Sequence, residues 1–157
     1  VVILDFGSQY TQLIARRIRE QNVYSEILPP ETAFNEILCR EPAALILSGG
    51  PSSVYEKNAP DFDSHILDSE LPTLGICYGL HLLAQHQGGV VESTGQGEYG
   101  FAEITAENEI GLLSDISSPS KVWMSHGDRV KHLPEGWQTL AHSSNGVVAA
   151  MANEDQS

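Results

Sequence analysis

Four short strand-like runs, at residues 1–4, 24–28, 43–47 and 73–76, are each followed by a turn and then by a helical stretch. A strand reads as a continuous apolar run when both of its faces are buried, as parallel strands are beneath their crossover helices. The repeated order strand, helix, strand, helix therefore predicts an open parallel sheet with helices on both faces. The first helix is expected to run to about residue 21, with Ser8 as its N-cap and with Tyr10, Leu13, Ile14, Arg17 and Ile18 inward. The second is expected over 31–39 with Phe34, Ile37 and Leu38 inward, the third over 60–69, and the fourth from Cys77 to about 87. After Gly88-Gly89 the pattern changes. Short strand-like runs at 90–92, 99–105, 121–124, 138–141 and 147–152 are separated by turn signals, among them Pro134-Glu135-Gly136 and the hairpin signal Ser143-Ser144-Asn145-Gly146. They are expected to extend the same sheet with antiparallel strands. The predicted class is α/β: an open, mostly parallel central sheet with an antiparallel extension.

The length suits one domain, residues 1–157. The chain starts inside a strand without an initiator Met and ends just after another, so it is expected to be an excerpt, incomplete at its C-terminus. With 8 Lys and Arg against 21 Asp and Glu the net charge is −13, which argues against nucleic acid and anionic membrane as partners. No apolar run approaches the length of a membrane span. Two cysteines, Cys39 and Cys77, make no disulfide framework, so a reducing, cytoplasmic setting is expected.

The fourth run leads into Gly75-Ile76-Cys77-Tyr78-Gly79-Leu80. This reads as strand, sharp turn and helix with a thiol at the turn, the layout of a nucleophile elbow. A helix N-terminus favours the thiolate there. The plainer alternative is a buried structural cysteine. Gly75 and Gly79 weigh against it, because a crowded turn needs them and packing alone does not. Cys39 has no turn chemistry around it and reads as structural.

In an open parallel sheet, chemistry gathers at the carboxyl ends of the strands. Three loops are expected to meet there: 5–9, 48–53 and 77–79. Gly49-Gly50-Pro51 offers backbone N–H groups with no side chain in the way, which next to a thiolate suits an oxyanion hole. A tight strand-exit turn is the other reading. No Gly-Lys-Ser/Thr follows, which weakens a phosphate loop, and Gly-x-Gly-x-x-Gly is absent from the first turn, which argues against a dinucleotide. Of six histidines, His126 in Met124-Ser125-His126-Gly127-Asp128 is the best local candidate for a base, at an expected strand end with a turn behind it. His81 is one turn beyond Cys77 and can face the site. His86 is expected to meet solvent or packing, and His65, His132 and His142 are read as surface residues. No pair has metal-ligand spacing with a supporting Cys or carboxylate, so no metal site is expected.

Taken together, Leu47-Ser48-Gly49-Gly50-Pro51 and Gly75-Ile76-Cys77-Tyr78-Gly79 resemble the class I (triad) glutamine amidotransferases, whose fold is flavodoxin-like. Ile3-Leu4-Asp5-Phe6-Gly7-Ser8-Gln9-Tyr10 and Trp123-Met124-Ser125-His126-Gly127-Asp128 narrow the resemblance to the branch whose ammonia feeds an ATP-dependent synthetase that aminates XMP to GMP. The four motifs stand in order across nearly the whole chain. The resemblance implies that Cys77 attacks the side-chain amide of glutamine to give a γ-glutamyl thioester and ammonia. It makes Gly50 and Tyr78 the oxyanion hole and gives Gly49, His81, Ser125, His126, Gly127 and Asp128 to substrate binding, with 125–128 holding the amino and carboxylate ends of glutamine. His126 is then a binding residue, because the family's base is a later histidine in Phe-His-Pro-Glu. The resemblance implies no cofactor for this segment. ATP and magnesium go with the absent synthetase domain, a partner in the same or a separate chain, and a homodimer would form through the absent region.

Two positions depart from the family pattern. No His-Pro-Glu occurs in the sequence, so the segment alone is expected to be a weak or inactive glutaminase. His81 stands where the family's Cys-x-Gly-x-Gln has glutamine; a histidine still donates a hydrogen bond, with a different shape and charge. These departures motivate a competing reading, a non-catalytic glutamine-binding or regulatory module. Others are a cysteine hydrolase on a related scaffold and an amidotransferase domain serving another synthase.

Overall fold

The computed structural model describes residues 1–107 and 111–153, with only the backbone of Gln96; the last residues of the expected domain, 154–157, lie outside the described residues. The chain forms two compact units, Val1–His86 and Gln87–Ser157.

In the first unit, strands β1 (Val2–Leu4), β2 (Glu26–Leu28), β3 (Leu45–Leu47) and β4 (Thr73–Gly75) form a parallel sheet in the order β2-β1-β3-β4. Their apolar runs fill the core: Ile3, Leu4, Leu45 and Leu47 are fully buried. The helices are α1 (Thr11–Glu20), α2 (Phe34–Leu38) and α3 (Tyr78–His86).

Three local expectations need correction. First, Ser8 is not the cap of α1. Its Oγ accepts the Tyr10 N–H at 3.1 Å, while Asp5 Oδ1 accepts from Thr11 Oγ1 at 2.7 Å and from the Gly7 N–H at 3.0 Å. The chain therefore stays folded over Asp5 until Thr11. The buried face of α1 is Thr11 and Ala15, with Ile14 and Ile18 half-buried; Tyr10, Leu13 and Arg17 are exposed. Small residues on that face permit close contact: Ser25 Oγ donates to the Ala15 carbonyl at 3.1 Å. Second, α2 spans five residues, and Leu38 and Cys39 are exposed, so Cys39 is no core packer. Third, 60–69 holds a single 3₁₀ turn, Ser64–Ile66. Side chains and backbone bond locally instead of forming a helix. Asp63 accepts the N–H of Phe34 at 2.9 Å and that of His65 at 3.1 Å, and these bonds, with the His65 ring, hold its carboxyl down to about 2.

The second unit is an antiparallel sheet of β5 (Val90–Ala106), β6 (Ser120–His132), β7 (Trp137–Ser143) and β8 (Val148–Asn153), in the order β6-β5-β7-β8. The α/β class holds, with a parallel sheet, helices and antiparallel strands. Among the described residues, however, the antiparallel strands form a sheet of their own and not the expected extension of the parallel one. The runs at 90–92 and 99–105 are one bulged strand, whose register to β6 shifts between Ser93 and Glu98. A glycine in the gap between the two runs lies in the bulge: Gly95 sits at φ +69°. The hairpin between β7 and β8 forms as expected, closed by the Ser143 N–H on the Val147 carbonyl at 2.8 Å, with Gly146 at φ +75°.

Candidate active site

At the end of β4 the chain turns through Cys77, a non-glycine residue at φ +54°. Such a backbone is strained for an L-residue and is the one a sharp strand-to-helix turn calls for. Cys77 immediately precedes α3, and its carbonyl accepts the His81 N–H at 3.1 Å, so it caps the helix. Its side chain is half-buried. Two glycines make the turn possible. A Cβ on Gly75 would lie 2.6 Å from the backbone of Gly79 and Leu80, and one on Gly79 would strike the Leu47 carbonyl. The elbow is therefore clamped against β3, where the Gly79 N–H donates to the Ser48 carbonyl at 3.1 Å.

The three loops converge. Ser48 Oγ accepts the Phe6 N–H at 3.0 Å and ties loop 48–53 to loop 5–9. A Cβ built on Gly49 would be 3.6 Å from Cys77 Cβ and 3.5 Å from Ser8 Oγ, so Gly49 lies directly beside the thiol-bearing carbon. A Cβ on Gly50 would be 2.5 Å from the Phe6 carbonyl oxygen, which explains the second glycine. Tyr78 opens α3, and its N–H is one of the first-turn donors that no helical carbonyl reaches.

The Tyr78 side chain points away from this chemistry. It is 1% exposed, packs on Phe6 with ring centroids 5.4 Å apart, and donates its hydroxyl to the Pro60 carbonyl at 2.5 Å. Burial, with the nearby carboxylates Asp61 and Glu56, pushes the phenol up to about 12, so it stays neutral. Tyr78→Phe is therefore expected to lose about 1 kcal/mol of stability, from the lost hydrogen bond to the half-buried Pro60 carbonyl, while any glutaminase rate changes less than about threefold. Urea melts and a glutamate-release assay check both halves.

His81 is buried at 7% exposure on α3. His86 packs on Phe62, centroids 4.7 Å apart, and pairs with Asp61 at 2.8 Å, in line with the packing expected of it. His65 pairs with Asp63 on the surface and His142 with Glu107. Among the described residues no group of three or more His, Cys, Asp or Glu could hold a metal ion. No described helix is long and apolar enough to cross a membrane.

Ser125, His126, Gly127 and Asp128 belong to the second unit. His126 does not end a strand; the segment lies within β6, opposite the bulge of β5. The expected turn is this bulge, where His126 pairs with Glu98 and Asp128 with Ser93. Successive residues face opposite sides of a strand. Ser125 is exposed, while His126 is 14% exposed and Asp128 is 7% exposed. His126 Nδ1 lies 2.8 Å from the Asp128 carbonyl oxygen, and Nε2 lies 3.3 Å from Glu98 Oε2. Both ring nitrogens are engaged, which does not suit a general base. Thr94 Oγ1 donates to the Gly127 carbonyl at 3.0 Å.

Glu98 and Thr94 did not stand out in the sequence. A signal was present for Glu98: alternation along β5 puts it on the same side as Ala102 and Ile104, an acid on the inward face of a strand.

The sequence profile of the family described as Glutamine amidotransferase class-I matches residues 2–157. Over 156 residues the chain is 47% identical to a protein of Bifidobacterium longum and 52% identical to one of Dehalococcoides mccartyi, each named GMP synthase (glutamine-hydrolysing). These alignments cover 99% and 98% of the chain but 29% of each relative, so the chain spans less than a third of the length of the curated relatives it matches. A crystal structure from Thermoplasma acidophilum, of a protein provisionally named as one of the subunits of a GMP synthase, superposes with a TM-score of 0.85 at 25% identity, covering 98% of this chain and 77% of that one. A glutamine amidotransferase from Thermotoga maritima superposes at 0.75 over 98% of this chain and 71% of that one; at 22% identity it speaks for the fold alone.

Proposed function

Since the chain belongs to the class I glutamine amidotransferases, we propose that it is the glutamine-hydrolysing part of a GMP synthase. It supplies ammonia to a synthetase domain, in the same or a separate chain, that aminates XMP to GMP with ATP and magnesium. The site in this chain needs no cofactor of its own. The proposed setting is the cytoplasm.

One observation carries the reading: a cysteine at φ +54° between a strand end and a helix start, with Gly49 against its Cβ. We assign Cys77 as the nucleophile. Its thiolate attacks the side-chain amide carbon of glutamine, and the carbonyl oxygen becomes an oxyanion. The N–H groups of Gly50 and Tyr78 take that oxyanion, in a position where such donors contribute a large share of catalysis. Collapse breaks the carbon–nitrogen bond, the leaving nitrogen takes the proton that the thiol gave up, and ammonia departs. Water then opens the γ-glutamyl thioester, releasing glutamate and regenerating the thiol. The positive end of α3 favours negative charge at the attacking sulfur. Gly49 and His81 are assigned to the substrate's side-chain amide, and Ser125, His126, Gly127 and Asp128 to its amino and carboxylate ends. His126 is not assigned as the base, its two ring nitrogens being engaged. The sequence holds no His-Pro-Glu, so these 157 residues by themselves are expected to turn over glutamine weakly or not at all.

The test uses the full-length protein and a chloroketone analogue of glutamine, with the adduct mapped by mass spectrometry. Labelling at Cys77 that glutamine protects against is the expected result. Labelling of the exposed Cys39 alone would overturn the assignment. Glutamine protection without any turnover in the full-length protein would favour the non-catalytic binding module instead.

A further inference from the structure

A buried carboxylate is unfavourable unless donors surround it. The side chain of Glu98 is 8% exposed. Its Oε1 accepts from Ser143 Oγ at 2.8 Å and from Asn145 Nδ2 at 2.7 Å, both at the β7–β8 turn. Its Oε2 is buried, 3.3 Å from His126 Nε2, and among the described residues no donor meets it at hydrogen-bonding geometry. Neither structural ties within the sheet nor the mechanism above explains why an acid is held here.

The ring of His126 supplies a reason. A carbonyl oxygen can only accept, so Nδ1, 2.8 Å from the Asp128 carbonyl, carries a hydrogen. Nε2 on the other side of the ring faces Glu98 Oε2 at 3.3 Å, an ion pair whenever the ring is charged. The chain of contacts runs from Ser143 and Asn145 through Glu98 and His126 to the Asp128 carbonyl. The preceding carbonyl, that of Gly127, is held by Thr94. At the bulge, two consecutive carbonyls of the segment are thus fixed by side chains.

We propose that Glu98 is a positioning residue for glutamine binding: through His126 it braces the bulged backbone of 125–128 in the form that receives the ends of the substrate. The proposal rests on the binding role assigned to that segment. Glu98 touches no substrate atom; it acts through His126 and makes the site preorganised, which lowers the KM for glutamine.

Glu98→Gln separates the brace from simple packing. The new amide oxygen still accepts from Ser143 and Asn145, while its NH₂ faces Nε2 and turns that nitrogen into an acceptor. In full-length protein with ¹⁵N-labelled histidine, the Nε2 signal of His126 is expected to shift between wild type and Glu98→Gln. The KM for glutamine rises about tenfold, with glutaminase kcat and ammonia-driven synthesis within about threefold of wild type. On a His126→Gln background the same substitution adds less than about twofold, since the two residues act as one. An Nε2 signal that Glu98→Gln leaves in place overturns the proposal. So does a KM unchanged by Glu98→Gln, a parallel fall of glutamine- and ammonia-driven rates, or a full additional rise on the His126→Gln background. A full-length protein without glutaminase activity would overturn the function proposed above and leave the ring signals to judge the brace.

Discussion

Cys77→Ala is expected to abolish glutamine-dependent synthesis in the full-length protein, by at least about a thousandfold, and to leave ammonia-dependent synthesis within about twofold of wild type. The physical basis is that nothing but the thiol is removed. Alanine and cysteine pay similar backbone strain at φ +54°, so the elbow keeps its shape. The residues around it, Gly49, Gly75 and Gly79, present no side chain that could replace a nucleophile. Parallel assays with glutamine and with ammonium salts read the two activities from one preparation. Loss of both would mean that Cys77 is structural. Retention of glutamine-dependent activity would place the chemistry elsewhere.

Gly79→Ala is expected to destabilise the protein by about 3 kcal/mol or more and to remove glutaminase activity with it. The added Cβ meets the carbonyl of Leu47, and a backbone group in the middle of a packed sheet has nowhere to move. The informative control is Gly88→Ala. Gly88 sits at φ +90° with open space around it, so alanine there strains the backbone without a clash, at about 1 kcal/mol. Urea midpoints compared under one set of conditions separate the two effects. Equal losses at 79 and 88 would mean that conformation, not crowding, is what the glycine supplies at the elbow.

The central strands β1 and β3 were legible because they are largely buried on both faces and so appear as unbroken apolar runs, whereas the flanking β2 and β4 are less buried. The elbow was legible for a related reason: crowding admits only glycine, and glycine is visible in a sequence. What misled was local competition. Asp5 and Asp63 gather backbone N–H groups, so α1 starts three residues after Ser8 and the expected helix over 60–69 is reduced to one 3₁₀ turn. The antiparallel half was harder to read. The stretch around Gly95 looks like a gap between two strands but forms a bulge within one, and alternating residues do not reveal to which sheet a strand belongs. The bulge mattered most for the candidate site, because it places His126 inside β6 and against Glu98, a contact between residues that sequence spacing cannot pair.

Position 78 divides its labour between side chain and main chain. The phenol is sealed under Pro60 and against Phe6, whereas the N–H is the group assigned to the oxyanion. A substitution scan would therefore file residue 77 under chemistry and residue 78 under packing, although both would serve the same carbon–nitrogen bond. Conventional side-chain replacement is blind to the second. An ester in place of the peptide bond that carries the N–H of residue 78, installed by semisynthesis, would delete the donor and leave the ring in its pocket.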